Sequence, residues 1–96
     1  MDGQTIITVL RNEMPVLANN YGVEAIGLFG SYAKGTQNEQ SDIDFLVKVK
    51  PPLSVNFFGL WNYLEKKFNK KIDLTRNGSH LRPKFMETIN REIIYA

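Results

Sequence analysis

Cysteine is absent from this 96-residue chain. Disulfides and thiolate metal sites are therefore excluded, and the composition fits a reducing cytoplasm. Histidine occurs once, at His80. That leaves no basis for a histidine-built metal centre or a triad, and His80 reads as a surface loop residue. No apolar run approaches the roughly 18 residues that cross a bilayer. The opening Met1-Asp2-Gly3-Gln4 lacks a basic stretch followed by an apolar one, so no secretory signal is expected. Walker A, dinucleotide-fingerprint and HExxH patterns are all missing. Aspartate is scarce, with four in the chain, and Asp42, Asp44 and Asp73 are flanked by apolar residues.

The length predicts one domain, spanning 1–96, with a single modest core. Charge is uneven. Residues 1–50 carry four basic and six acidic side chains, net −2, and residues 51–96 carry eight and four, net +4. The basic half includes Lys66, Lys67, Lys70 and Lys71. A positive field beside an acidic centre favours an anionic substrate. The plainer reading is a solvated helix end. These lysines are not interleaved with exposed aromatics, so direct nucleic-acid binding is not expected.

Ile6, Ile7, Leu10, Met14 and Leu17 recur at helical spacing and predict a helix over 4–20. Pro15 should kink or divide it, and Gly22 is a natural C-terminal cap. Val23 to Phe29 reads as the first strand. Ser31 to Lys34 reads as a short helix with Ser31 as N-cap. Asp42 to Val49 is the second strand, ended by Pro51-Pro52. Ser54 is placed as the N-cap of a helix whose apolar face is Phe57, Leu60, Trp61, Leu64 and Phe68. Trp61 and Phe68 are read as core. Ile72-Asp73-Leu74 is a short third strand, and a last helix after Pro83 carries Phe85, Met86, Ile89, Ile93 and Ile94. The expected order is α-β-α-β-α-β-α. The expected class is α/β of the α+β type, a small mixed sheet of about three strands with flanking helices.

The chemistry concentrates in one stretch: Phe29-Gly30-Ser31, ten residues, then Asp42-Ile43-Asp44. Residues i and i+2 of a strand share a face and lie roughly 6–7 Å apart. Asp42 and Asp44 therefore point the same way. Neighbouring carboxylates repel unless a cation lies between them, and a pair of magnesium ions suits an all-oxygen donor set. Asp73 lies opposite its apolar neighbours and joins the pair if the third strand lies beside the second. Two metals about 3.5–4 Å apart can stabilise both oxygens of an in-line phosphoryl displacement. On that scheme Asp42 and Asp44 bridge the metals, while Asp73 binds the metal that activates the incoming hydroxyl and accepts its proton. The structural alternative is that Asp42 caps the strand entrance and Asp44 pairs with a lysine. Gly30 lets backbone approach a phosphate, Ser31 offers a hydroxyl and amide, and Lys34 is in range of a triphosphate or is simply an exposed helix lysine.

Leu28-Phe29-Gly30-Ser31-Tyr32-Ala33-Lys34-Gly35, followed by Ser41-Asp42-Ile43-Asp44-Phe45-Leu46-Val47, resembles the nucleotidyltransferase superfamily of DNA polymerase beta. More narrowly, the chain resembles the minimal nucleotidyltransferases, the MntA-like antitoxins. The likeness continues through Lys71-Ile72-Asp73-Leu74 to the closing Arg91-Glu92-Ile93-Ile94-Tyr95-Ala96. The resemblance implies a polymerase-beta-like fold and magnesium-dependent transfer of a nucleoside monophosphate from a nucleoside triphosphate. In the better-understood members ATP is the donor, and a tyrosine hydroxyl of a HEPN-family toxin, a helical RNase, is the acceptor. AMP transfer silences that toxin, as in a type VII-like toxin–antitoxin pair. The family's phosphate-binding pair maps onto Gly30 and Ser31, and its carboxylates onto Asp42, Asp44 and Asp73. Lys34 stands where many members have arginine, which keeps the charge but loses the bidentate fork.

At this length the extra domain of larger members is not expected. A partner protein is expected to complete the site or serve as substrate, and a homodimer would cover apolar surface. Two other readings compete. The acceptor could be a small alcohol or an RNA end, or the chain could neutralise its toxin by occlusion alone.

Overall fold

The computed structural model describes residues 1–51 and 56–96. Among the described residues eight elements alternate: α1 (Gly3–Tyr21), β1 (Val23–Phe29), α2 (Ser31–Lys34), β2 (Ile43–Val49), α3 (Phe57–Phe68), β3 (Ile72–Arg76), α4 (Pro83–Glu92) and β4 (Ile94–Tyr95). The strands form one mixed sheet in the order β3-β2-β1-β4. β1 runs antiparallel to β2 and β4, and β2 runs parallel to β3. A parallel pair needs a crossover, and α3 supplies it.

Alternation along the strands divides the sheet into two faces. Ile43, Phe45 and Val47 of β2 and Ile72 and Leu74 of β3 join Ile6, Leu10 and Leu17 of α1 and Leu60, Leu64 and Phe68 of α3 in the main core. On the other face, Phe29 and Leu46 pack with Ile89 of α4, with Leu81, Met86 and Ile93 around them. Burying a large aliphatic side chain contributes about 1.5–3 kcal/mol, so the main core dominates stability. The second face is covered by one helix, and its uncovered end is where the aspartates stand.

Several expectations hold. Gly22 caps α1 in the left-handed conformation at φ 69°, its N–H donating to the Ala18 carbonyl. Phe68 is buried and Trp61 packs against the core, with its indole N–H donating to the Ile72 carbonyl at 2.7 Å. His80 is exposed. Others need correction. Pro15 does not divide α1, which runs as one 19-residue helix. The proline faces solvent, and buried Leu10 and Leu17 hold the helix on both sides of it. Asp42 lies one residue before β2 rather than within it. Ser31 is the first residue of α2, not its cap; Gly30 takes the cap position without a side-chain hydrogen bond. The last helix ends at Glu92, and Ile94 and Tyr95 become a fourth strand, paired with Leu28 and Gly27. Ser54 and Pro52 lie outside the described residues. No helix among those described is long and apolar enough to cross a membrane.

Candidate active site

The site lies where β1 ends and β2 and β3 begin. Asp44 and Asp73 are register partners in the parallel pair, and Phe29 is the antiparallel partner of Asp44. Adjacent strands are about 4.8 Å apart, so the Asp44 and Asp73 carboxylates stand side by side. Both are on the face that β2 and β3 turn away from the main core. Asp42, just before the strand, is near enough for its charge to act on Asp44. The sheet thus brings all three expected carboxylates together, with Asp73 exposed and Asp42 and Asp44 half-buried.

Gly30 follows Phe29 directly. Its φ of 75° and ψ of −155° belong to a region open essentially to glycine. A Cβ built there would fall on the Asp44 carboxylate. The Gly30-Ser31 turn is therefore pressed against the Asp44 carboxyl, and only the missing side chain lets it approach. Lys34 follows one turn on, 56% exposed at its side chain.

Electrostatics mark Asp44 out. Burial pushes its carboxyl up to about 6, and the negative charges of Asp73, Asp42 and Glu92 add to the rise. Among the described residues no lysine pairs with Asp42, Asp44 or Asp73; the ion pairs are Lys34–Glu92 and Lys67–Glu13. The alternative in which Asp44 serves a structural salt bridge is therefore not what the fold builds. Among the described residues the acidic side chains do not close into a ready-made three-ligand cage. That donor set still fits magnesium, which is commonly held by one or two carboxylates and completed by substrate phosphates and water.

Asp44 makes stability depend on pH. Its folded-state pKa, about 6, lies above its ordinary value of 3.8. Between those values the folded state binds more protons than the unfolded one, so stability is greatest on the acid side and falls as pH rises through about 6. Asp2 and Glu13 are shifted the other way, by the Thr5 amide and the Tyr63 hydroxyl respectively, so their stabilising effect fades only toward lower pH. Melting temperature measured in EDTA should decline between about pH 4 and pH 6. Asp44→Asn should flatten that slope; a slope unchanged in the variant would contradict the assignment.

The structure adds one residue that sequence reasoning did not single out. Glu92, the last residue of α4, accepts the Gly30 N–H on Oε1 at 3.1 Å and meets Lys34 Nζ through Oε2 at 3.6 Å. Its only local signal was membership of the closing Arg91-Glu92-Ile93-Ile94 segment. Nothing in that segment announces a partner 62 residues away.

Asp44 on β2 with Asp42 just before it, a third aspartate in register on β3 and a glycine turn against Asp44 are the arrangement expected of a nucleotidyl-transfer centre. Residues 12–96 match the family model described as Polymerase beta, Nucleotidyltransferase, and the chain belongs to that family, among its minimal members. It is 36% identical over 94 residues to the protein adenylyltransferase MntA of Thermococcus cleftensis, covering 97% of this chain and 91% of that one. A solved structure described provisionally as a minimal nucleotidyltransferase superposes with a TM-score of 0.79 at 28% identity, covering 98% of this chain and 95% of the other. A toxin–antitoxin crystal structure with AMP-PNP superposes with a TM-score of 0.67 at 26% identity, covering 99% of this chain and 72% of that one.

Proposed function

We propose that this chain is a magnesium-dependent protein adenylyltransferase. It takes AMP from ATP and places it on a hydroxyl of a partner protein, most simply a tyrosine of a cognate HEPN-family toxin, and so acts as that toxin's antitoxin in the cytoplasm. The observation that carries the reading is the Asp44–Asp73 register with the Gly30 turn packed on Asp44. Support comes also from the adenylyltransferase relative and from the AMP-PNP complex of a chain with this fold.

In this reading Asp42, Asp44 and Asp73 are the residues that would hold magnesium. Bound there, the metal would neutralise charge on the triphosphate and lower the pKa of the attacking hydroxyl. Gly30, without a side chain, lets the turn approach the phosphates beyond the reacting one, Ser31 binds them through its amide and hydroxyl, and Lys34 supports them with its charge. The acceptor oxygen attacks the α-phosphorus, the bond to the bridging oxygen breaks, and pyrophosphate leaves. Asp73 is placed to accept the hydroxyl proton. Its exposure suits an acceptor presented by a macromolecule, because a protruding tyrosine can reach it without a deep pocket. The single domain of residues 1–96 then supplies the catalytic groups, and the partner supplies the acceptor.

The test is intact-mass measurement of a co-expressed HEPN partner after incubation with this protein, ATP and magnesium. A gain in AMP-sized steps is the expected result. A stable complex with bound magnesium-nucleotide and no mass gain would instead favour occlusion, and transfer to an RNA end or small alcohol would replace the acceptor.

A further inference from the structure

Glu92 raises a question of charge. It is a carboxylate placed among carboxylates, and it contributes to the repulsion felt by Asp44. Its side chain is only 14% exposed. A neutral glutamine could accept the Gly30 N–H equally well without adding to that repulsion. What the charge adds is the hold on Lys34, whose Nζ lies 3.6 Å from Oε2.

Glu92 is also held firmly from both sides. Before it, Ile89 is buried at 1% exposure against Phe29 and Leu46. After it, the Ile93 N–H donates to the Ile89 carbonyl at 2.8 Å. The Ile93 side chain lies over Gly27, so close that a Cβ at 27 would come within 2.6 Å of it. Ile94 then pairs with Leu28 in the sheet. The carboxylate therefore hangs from a point fixed by α4 and by β4 at once. The turn it grips has one conformation that depends on glycine.

We propose that Glu92 is a positioning residue for nucleotide binding: one carboxylate oxygen fixes the Gly30 amide, the other places Lys34, and the end of α4 thereby sets the shape of the phosphate-binding turn. This rests on the reading that Gly30, Ser31 and Lys34 receive the triphosphate. Glu92 touches no substrate atom in this scheme. It acts through the Gly30-Ser31 turn and Lys34, and so ties the C-terminal edge of the sheet to the nucleotide.

The test is calorimetric titration of the full chain with AMP-PNP and magnesium, beside steady-state kinetics in ATP. Glu92→Ala should weaken AMP-PNP by about tenfold, the usual scale for losing a charge-assisted hydrogen bond, and should raise KM for ATP more than it lowers kcat. Glu92→Gln keeps the acceptor for Gly30 and loses only the exposed pair, so it should recover most of the loss and end about two- to fivefold weaker than the parent. Unchanged affinity in both variants overturns the proposal. Tighter binding overturns it too, because the carboxylate would then be a competitor for the phosphate donors. If Glu92→Ala does not fold, Glu92→Gln decides alone, with unchanged or tighter binding counting against. Ser31→Ala run in parallel separates the two ideas. Weakening by Ser31→Ala with no effect at Glu92 sinks the positioning role alone, whereas no effect at either sinks the phosphate reading beneath it.

Discussion

Asp44→Asn should abolish AMP transfer to the partner, by on the order of 10³-fold or more, while the folded protein melts no lower than the parent at neutral pH. The two halves of this result have one cause. Asp44 is the carboxyl most crowded by others, with Asp73 beside it in register and Asp42 and Glu92 near. In the absence of a cation that crowding is repulsive, and asparagine relieves it at nearly constant volume. In the proposed complex with magnesium-nucleotide the same crowding would attract the cation, and asparagine offers one neutral oxygen in place of an anionic pair. Loss of function with retained or raised stability is the signature of a group placed for chemistry rather than for packing. Asp42→Ala should lose transfer as well, with a smaller effect on stability, because the Asp42 charge acts on Asp44 less strongly than that of Asp73. Intact-mass analysis for transfer and thermal melting for stability check both. Transfer by Asp44→Asn at parent rates would remove the metal-ligand role. A drop in melting temperature at pH 7 would mean that the carboxylate is paired in solution.

Most of the site could be read from the sequence because its signals are local and chemically costly. Aspartate disfavours strands, so Asp44 and Asp73 inside apolar runs demanded a reason, and the period-two rule put Asp42 and Asp44 on one face before any fold was known. What that rule cannot supply is the register between strands far apart in sequence. That Asp73 would align with Asp44 follows from the β2–β3 pairing, which the main core fixes through Ile43, Phe45, Ile72 and Leu74. The fourth strand was hidden for a similar reason. Ile93, Ile94 and Tyr95 continue the apolar pattern of α4, and only the open edge of β1 decides that the chain extends there instead of winding on. Pro15 misled in the other direction. A rule about isolated helices expected a break, and tertiary packing on Leu10 and Leu17 prevented one. Glu92 was invisible because its meaning lies wholly in a long-range contact with Gly30.

Gly30→Ala should be the second severe variant, and its comparison with Gly35→Ala separates two costs that a single mutant would merge. Both glycines have positive φ, 75° and 74°. A Cβ at Gly35 meets nothing within 4 Å. Gly35→Ala therefore carries the backbone cost alone, about 1–2 kcal/mol, or roughly 4–16 °C in melting temperature for a domain of this size. Gly30 is worse on two counts. Its ψ of −155° puts it in a region alanine hardly enters, and its Cβ would occupy the place of the Asp44 carboxylate. Asp44 must swing away or the turn must move outward, and either shift would misalign the proposed phosphate donors with the proposed metal ligands. A displacement of about 1 Å can cost on the order of 10²-fold in rate, so Gly30→Ala should lose at least that much transfer, with melting lowered further than in Gly35→Ala. Gly35→Ala should keep its activity at temperatures where it remains folded. Equal behaviour of the two variants would show that the turn and the carboxylate do not touch in solution. Activity retained by Gly30→Ala would move phosphate binding away from this turn. The close approach of backbone to carboxylate thus has a direct consequence: the turn proposed to grip phosphate and the carboxylate proposed to hold metal cannot be altered independently.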